Sequence, residues 1–233
     1  MLRCLFLLAL ALPALAADPS RYETRPKHDP NGIGVFYMGR EIAMVMGHQA
    51  AGWLERPERE EEERTDLLID ALKLQPGEIA ADIGAGTGYI SQRMAKRVGE
   101  KGLVYAEDIQ QEMLDLLDRK MKLFHISNMK ALLGTTTDPK LPPAGVDLII
   151  MVDVYHEFDQ PFEMTGNMIH GLKPGGRLIF VEFRGEDPEV PIKAVHKMTE
   201  AQVKKEMGVF PELEWVETNE SLPRQHIIVF RRK

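Results

Sequence analysis

The sequence predicts an α/β protein built on a doubly wound, mostly parallel sheet, and three observations carry that prediction. From residue 74 onward, short apolar segments alternate with amphipathic, helix-like runs. The first of those segments, Ile79 to Ile83, runs into glycines at every second position, Gly84, Gly86 and Gly88. A later segment, Val146 to Val152, is apolar almost throughout, as a strand buried on both faces must be.

The chain opens on a different pattern. Arg3 precedes the apolar run Leu5 to Leu12, and Ala14-Leu15-Ala16 puts small residues where cleavage before Ala17 needs them. Residues 1–16 therefore read as a secretory signal peptide, with an uncleaved anchor as the alternative. The run is short for a membrane span and no other segment could cross a bilayer. The expectation is a periplasmic or extracellular protein without a stable membrane anchor. The single cysteine, Cys4, falls inside the leader, which leaves no disulfide, thiolate nucleophile or cysteine metal site afterwards. Loss of Arg3 leaves 28 basic against 36 acidic residues, a formal net charge of −8. That balance disfavours nucleic acid as a partner.

Residues 17–73 read as an N-terminal extension. Pro19 to Asn31 is polar and proline-bearing, so it is expected to be extended or loosely ordered. Tyr37 to His48 mixes large apolar with polar residues, and Trp53 follows; the extension is expected to be a helical lid, with a helical cap that only covers the sheet as the alternative. Pro57 and the glutamates of Glu58 to Arg64 suit a helix start, with Leu67, Leu68, Ala71 and Leu72 as its inner stripe.

The core, residues 74–233, follows in order. After the strand Ile79 to Ile83 and its glycine turn comes a helix over Ile90 to Val98. A second strand, Gly102 to Ala106, ends in Glu107-Asp108-Ile109 before a helix over Gln110 to Lys120. Met129 to Gly134 is the third strand and Val146 to Val152 the fourth, which ends in Asp153-Val154-Tyr155-His156-Glu157. A helix over Pro161 to Leu172 leads through the tight turn Lys173-Pro174-Gly175-Gly176-Arg177 into a fifth strand, Leu178 to Glu182. Thr199 and Gln202 form a capping-box pattern at the start of a helix running to about Met207. Glu212 to Val216 and His226 to Arg231 supply an antiparallel hairpin, which brings the sheet to seven strands.

The turn at the end of the first strand is the most telling local feature. Glycine is required where backbone dihedrals are unusual or where a side chain would block a ligand, and the next helix offers free N–H groups. The series reads D-x-G-x-G-x-G from Asp82, not the G-x-G-x-x-G of dinucleotide folds. Asp108 lies about twenty residues further on, where an acid of a doubly wound fold accepts hydrogen bonds from ribose hydroxyls. A helix N-cap is its alternative role.

With Asp82 to Gly88, with Val104-Tyr105-Ala106-Glu107-Asp108-Ile109 followed by Glu112-Met113-Leu114, and with the Lys173 to Arg177 turn, the chain resembles the class I S-adenosylmethionine-dependent methyltransferases over roughly Leu74 to Lys233. The resemblance implies a Rossmann-like fold and S-adenosylmethionine as cofactor. It implies that Asp82, Gly84, Ala85, Gly86 and Gly88 hold the methionine end, and that Asp108 and Ile109 meet the nucleoside. An acid near the adenine amino group is usual just past the third strand. Here Thr135 stands at that place, so Asp138 is a displaced candidate beside a plain Asp-Pro turn.

The reaction implied is transfer of a methyl group to a small-molecule acceptor, with transfer of another group from a sulfonium donor, or binding without catalysis, as alternatives. His156, Tyr155 and Asp153 are the candidate catalytic residues because strand carboxyl ends build the sites of such sheets. His156 has a suitable side chain for taking a proton, and Glu157 or Asp153 could orient it; it could also only shape the pocket. In the family the segment before the core forms a lid over the acceptor. Tyr37, Glu41, His48 and Trp53 are therefore candidate substrate residues, and His196 lies where the family inserts substrate contacts. The seven histidines lack close spacing, so no metal site is expected.

Overall fold

The structure, a computed structural model, describes residues 18–233. The leader expected over residues 1–16 lies outside the described residues. The extension contains β1 (Tyr22–Thr24), β2 (Gly32–Tyr37) and β3 (Arg40–Ala43), followed by short helices α1 (Ala51–Leu54), α2 (Arg59–Glu63) and α3 (Thr65–Ala71). The core then runs β4 (Ile79–Ile83), α4 (Tyr89–Val98), β5 (Leu103–Asp108), α5 (Gln111–Leu123), β6 (Met129–Leu133), β7 (Val146–Val152), α6 (Pro161–Gly171), β8 (Leu172–Phe183), α7 (Glu200–Met207), β9 (Leu213–Asn219) and β10 (Gln225–Arg232).

Seven of these strands form one sheet in the order β6-β5-β4-β7-β8-β10-β9. The first five neighbours are parallel, and β10 runs antiparallel to both β8 and β9. The order reverses between β4 and β7, whose carboxyl ends therefore diverge and leave a crevice. The apolar runs that announced β4 and β7 fill a core on both faces. Leu68, Met94 and Leu117 cover one, and Met168, Met207 and Phe210 the other.

Two expectations change. The extension is not wholly helical, because residues 22–43 make a three-stranded antiparallel sheet in the order β1-β2-β3. Its glutamate Glu41 accepts the backbone N–H groups of Asp29 (2.9 Å) and Gly34 (3.1 Å), so a polar side chain holds strands too short to announce themselves. The capping box at Thr199 is only half formed. Thr199 Oγ1 accepts the Gln202 N–H (3.1 Å), but the Gln202 amide turns away to donate to Glu206 (2.8 Å).

Candidate functional site

A cavity of about 530 Å³ opens at the crevice between β4 and β7. Its walls come from the glycine turn, the ends of β5 and β7, the loop after β8 and the extension. The volume lies within the range that small-molecule sites occupy.

One end is the glycine turn. Gly84 and Gly86 have φ of +68° and +54°, and both line the cavity. A Cβ on Gly84 would stand 2.4 Å from Val154 Cγ2, and one on Gly86 would stand 2.5 Å from Leu54 Cδ1. Left-handed backbone and lack of room both require glycine here. Asp108 closes the turn: its carboxylate accepts the N–H of Gly86 (2.9 Å) and that of Gln110 (2.8 Å). Burial outweighs those bonds and raises its pKa above the ordinary value. Ile109 beside it presents an exposed apolar face to the cavity.

Glu107, passed over in the sequence in favour of Asp108, also lines the cavity. One of its oxygens accepts the Gly84 N–H (3.3 Å), while the buried Oε1 has no hydrogen-bond partner. Burial, and then the neighbouring Asp108, push its carboxyl well above the usual range. Gly134 makes room for it, since a Cβ there would overlap Glu107 Oε1. Arg59, also unannounced by the sequence, brings a buried guanidinium to the lining and is held by Glu63 (2.8 Å) and the Leu54 carbonyl (3.0 Å).

The adjoining wall is formed by the segment after β7, which neighbours β4 in the sheet. Asp153 sits at φ +53°, a strained conformation for a non-glycine residue. Its Oδ2 accepts from Gln225 (2.8 Å) and its buried Oδ1 has no partner. Burial, then Glu63 and Glu182, hold this carboxyl well above the usual range. The buried His156 ring is fixed through Nδ1, 2.6 Å from Glu182 Oε2. The carboxylate that orients His156 is thus Glu182 from β8, rather than Glu157 or Asp153. Glu157 lies 4.0 Å from Nε2, the other nitrogen of that ring, and His196 packs edge-on at 5.1 Å between ring centroids. Burial pushes Glu157 up to about 7 and His196 down to about 4.

The cavity gathers Gly84, Gly86, Asp108, Ile109, Asp153, His156, Glu157, His196 and Trp53 from among the sequence candidates. The others stand elsewhere. Asp82 is buried behind the turn and accepts from Ser91 Oγ (2.5 Å). Ala85 donates its N–H to the Glu107 carbonyl (2.7 Å), and Gly88 packs towards Leu117. Asp138 binds the Lys140 N–H and Nζ, each at 2.7 Å, as a turn residue does. Tyr155 is fully buried and donates its hydroxyl to Glu206 (2.7 Å), so it packs the core and does not face the cavity. Tyr37 stacks obliquely on Tyr22, Glu41 holds the small sheet, and His48 meets the site only through its N–H, which donates to Gln110 (2.9 Å).

The extension is tied to this floor by its backbone. The Met46 N–H points to both Glu157 oxygens (3.2 Å each), and the Gln110 amide donates to the Met46 carbonyl (2.9 Å).

A seven-stranded sheet with a reversed C-terminal hairpin, and a glycine turn plus acid at its switch point, define the class I methyltransferase fold. The chain belongs to the methyltransferase-domain family, whose model matches residues 74–222. The ubiquinone/menaquinone biosynthesis C-methyltransferase UbiE of Vibrio vulnificus is 30% identical over 118 residues, covering 50% of this chain and 45% of that protein. The protein of the same name from Wigglesworthia glossinidia brevipalpis is 24% identical over 119 residues, covering 51% and 48%. The chain thus spans about half the length of these curated relatives. Among solved structures, an S-adenosylmethionine-dependent methyltransferase from Aquifex aeolicus shares the fold with a TM-score of 0.76 at 22% identity, over 81% of this chain and all of that one. A type 11 methyltransferase from Sulfolobus solfataricus shares it at 0.59 and 22% identity, over 74% and 93%. S-adenosylmethionine is the cofactor that this family implies.

Proposed function

We propose that the protein transfers a methyl group from S-adenosylmethionine to a small, largely apolar acceptor bearing one acidic hydrogen. The observation that carries this reading is the continuity of one cavity from the positive-φ glycines and Asp108 to the polar cluster around His156. The residues at the glycine end suit the cofactor. Gly84 and Gly86 leave bare backbone, Asp108 and the unpartnered Glu107 Oε1 suit ribose hydroxyls, Ile109 suits a flat base, and Arg59 offers a cation for a carboxylate. When bound, the cofactor supplies an electrophilic methyl on a positively charged sulfur.

The chain's own residues hold and align the acceptor. Val45, Trp53, Phe158, Phe183 and Ile192 give the cavity its apolar walls and exclude water. Because Glu182 holds Nδ1 of His156, Nε2 is the ring atom left to meet the acceptor's acidic hydrogen. The C-methylation named for the Vibrio relative fits an acceptor whose acidic group activates a ring carbon. Export from the cytoplasm rests on the Arg3 to Ala17 pattern.

Calorimetric titration of the chain beginning at Ala17 tests the cofactor. Wild type is expected to bind S-adenosylmethionine at micromolar concentration. Asp108→Ala should weaken binding by about 10- to 100-fold through loss of a charge-assisted hydrogen bond. Gly86→Val should abolish it. Heatless titration at millimolar ligand, with the protein folded, overturns the reading. An acceptor screen over small phenols and quinols, read by S-adenosylhomocysteine release, then identifies the substrate.

A further inference from the structure

His156, Glu157 and His196 meet at the acceptor end of the cavity although forty residues separate the last from the others. Two 3-10 turns, Tyr155–Glu157 and Ala194–His196, deliver them. One ligand-capable atom from each lies within 4.8 Å of the other two. The nearest approaches are 4.0 Å between His156 Nε2 and Glu157 Oε1, and 3.6 Å between His196 Nδ1 and the same oxygen. Ligands about 2.0 Å from a tetrahedral ion stand about 3.3 Å apart, so the observed spacing needs only a small contraction.

We propose that these three side chains bind one divalent ion of the zinc, cobalt(II) or iron(II) type. The donor set selects the ion: two imidazoles and one carboxylate suit borderline metals and leave magnesium and calcium, which prefer all-oxygen sites, poorly served. The supporting contacts are those a metal site requires. A ligating histidine ordinarily gives its other nitrogen to a carboxylate, and His156 Nδ1 lies 2.6 Å from Glu182. A ligating carboxylate is itself hydrogen-bonded, and Glu157 accepts the Met46 N–H.

Charge argues the same way. Asp153, Glu157 and Glu182 stand together at the ends of β7 and β8, while Arg40 is committed to Glu206 (2.7 Å) and Lys193 to Asn31 (2.6 Å). A divalent cation would offset the carboxylates that burial otherwise penalises. Three protein ligands leave coordination positions unfilled, and all three residues line the cavity. An acceptor oxygen would complete the set, and the ion, in place of His156 Nε2, would acidify that hydroxyl so that its proton passes to solvent water and the oxygen stays bound as the anion. The metal site itself rests on the cluster alone; only its use in transfer rests on the methyltransferase reading.

The protein is stripped with chelator and titrated with cobalt(II), read by visible absorption, and with zinc by calorimetry. One ion per chain is expected, with d–d bands of a low-symmetry nitrogen–oxygen site. His196→Ala and Glu157→Gln should each weaken binding by about 100-fold or more, whereas His48→Ala, off the cavity, should bind as wild type. Zinc should raise the Tm of wild type and leave that of folded His196→Ala unchanged. Absence of cobalt bands at millimolar metal, or wild-type binding by both ligand variants, overturns the inference. The two substitutions lie on different turns, so either folded variant suffices. S-adenosylmethionine is titrated separately against the metal-free protein. Cofactor binding without metal binding sinks this inference alone, and metal binding without cofactor binding sinks only the methyltransferase reading.

Discussion

Asp82 heads the glycine series yet touches no part of the cavity. Burial raises its carboxyl from 3.8 to about 6, against the lowering effect of Ser91. Between those two values the unfolded chain gives up a proton that the folded chain keeps. Stability therefore falls as pH rises through that window, by up to about 3 kcal/mol, and is level above it. Asp82→Asn retains an acceptor for Ser91 and removes the titration. Urea unfolding at pH 4 and pH 7 should show the variant gaining about 2–3 kcal/mol on wild type between the two. An unchanged difference would mean that Asp82 is not buried as described. Glu107 and Asp108 teach a related lesson. The sequence singles out Asp108 by its distance from the glycines, but no local pattern reveals that Glu107, one residue earlier, turns an unpartnered oxygen inward.

At the scale of elements, legibility tracked how local the physics is. The seven core strands and their helices were readable because each buries its own apolar run or stripe. The strands β1 to β3 were not, because three to six residues rich in glycine and charge carry no such pattern and are held by Glu41 and by the core beneath them. For the same reason Tyr155 read as a site residue. Only the folded chain brings Glu206 of α7 to its hydroxyl, and the convergence of His156 with His196 is equally non-local. Arg40 of β3 locks the small sheet to the core: it grips both oxygens of Glu206 (2.7 and 3.2 Å) and donates to the His156 carbonyl (3.1 Å). Arg40→Ala strands a buried carboxylate and should cost about 3–5 kcal/mol. Replacing Arg40 and Glu206 together by methionine and leucine should cost less than Arg40→Ala, a comparison that denaturant unfolding makes directly. Equal losses would show that the pair contributes packing rather than compensated charge.

The whole molecule combines a family core with about 55 residues before it, and the proposal of export makes its prediction at this scale. Among the described residues no helix is long and apolar enough to cross a membrane. Expressed in a bacterium with its leader, the protein is expected in the periplasmic fraction with Ala17 as its first residue, which N-terminal sequencing decides. Retention in the cytoplasm with Met1 intact would refute export. The backbone clamp between Met46, Gln110 and Glu157, with Leu54 laid over Gly86, has a consequence in time as well as in space. Opening of that clamp is expected to gate departure of the spent cofactor, so that release, and not bond-making, should set the pace of turnover. Steady-state rates should then fall with solvent viscosity, and Gln110→Ala should raise kcat while shortening the residence of the bound nucleoside.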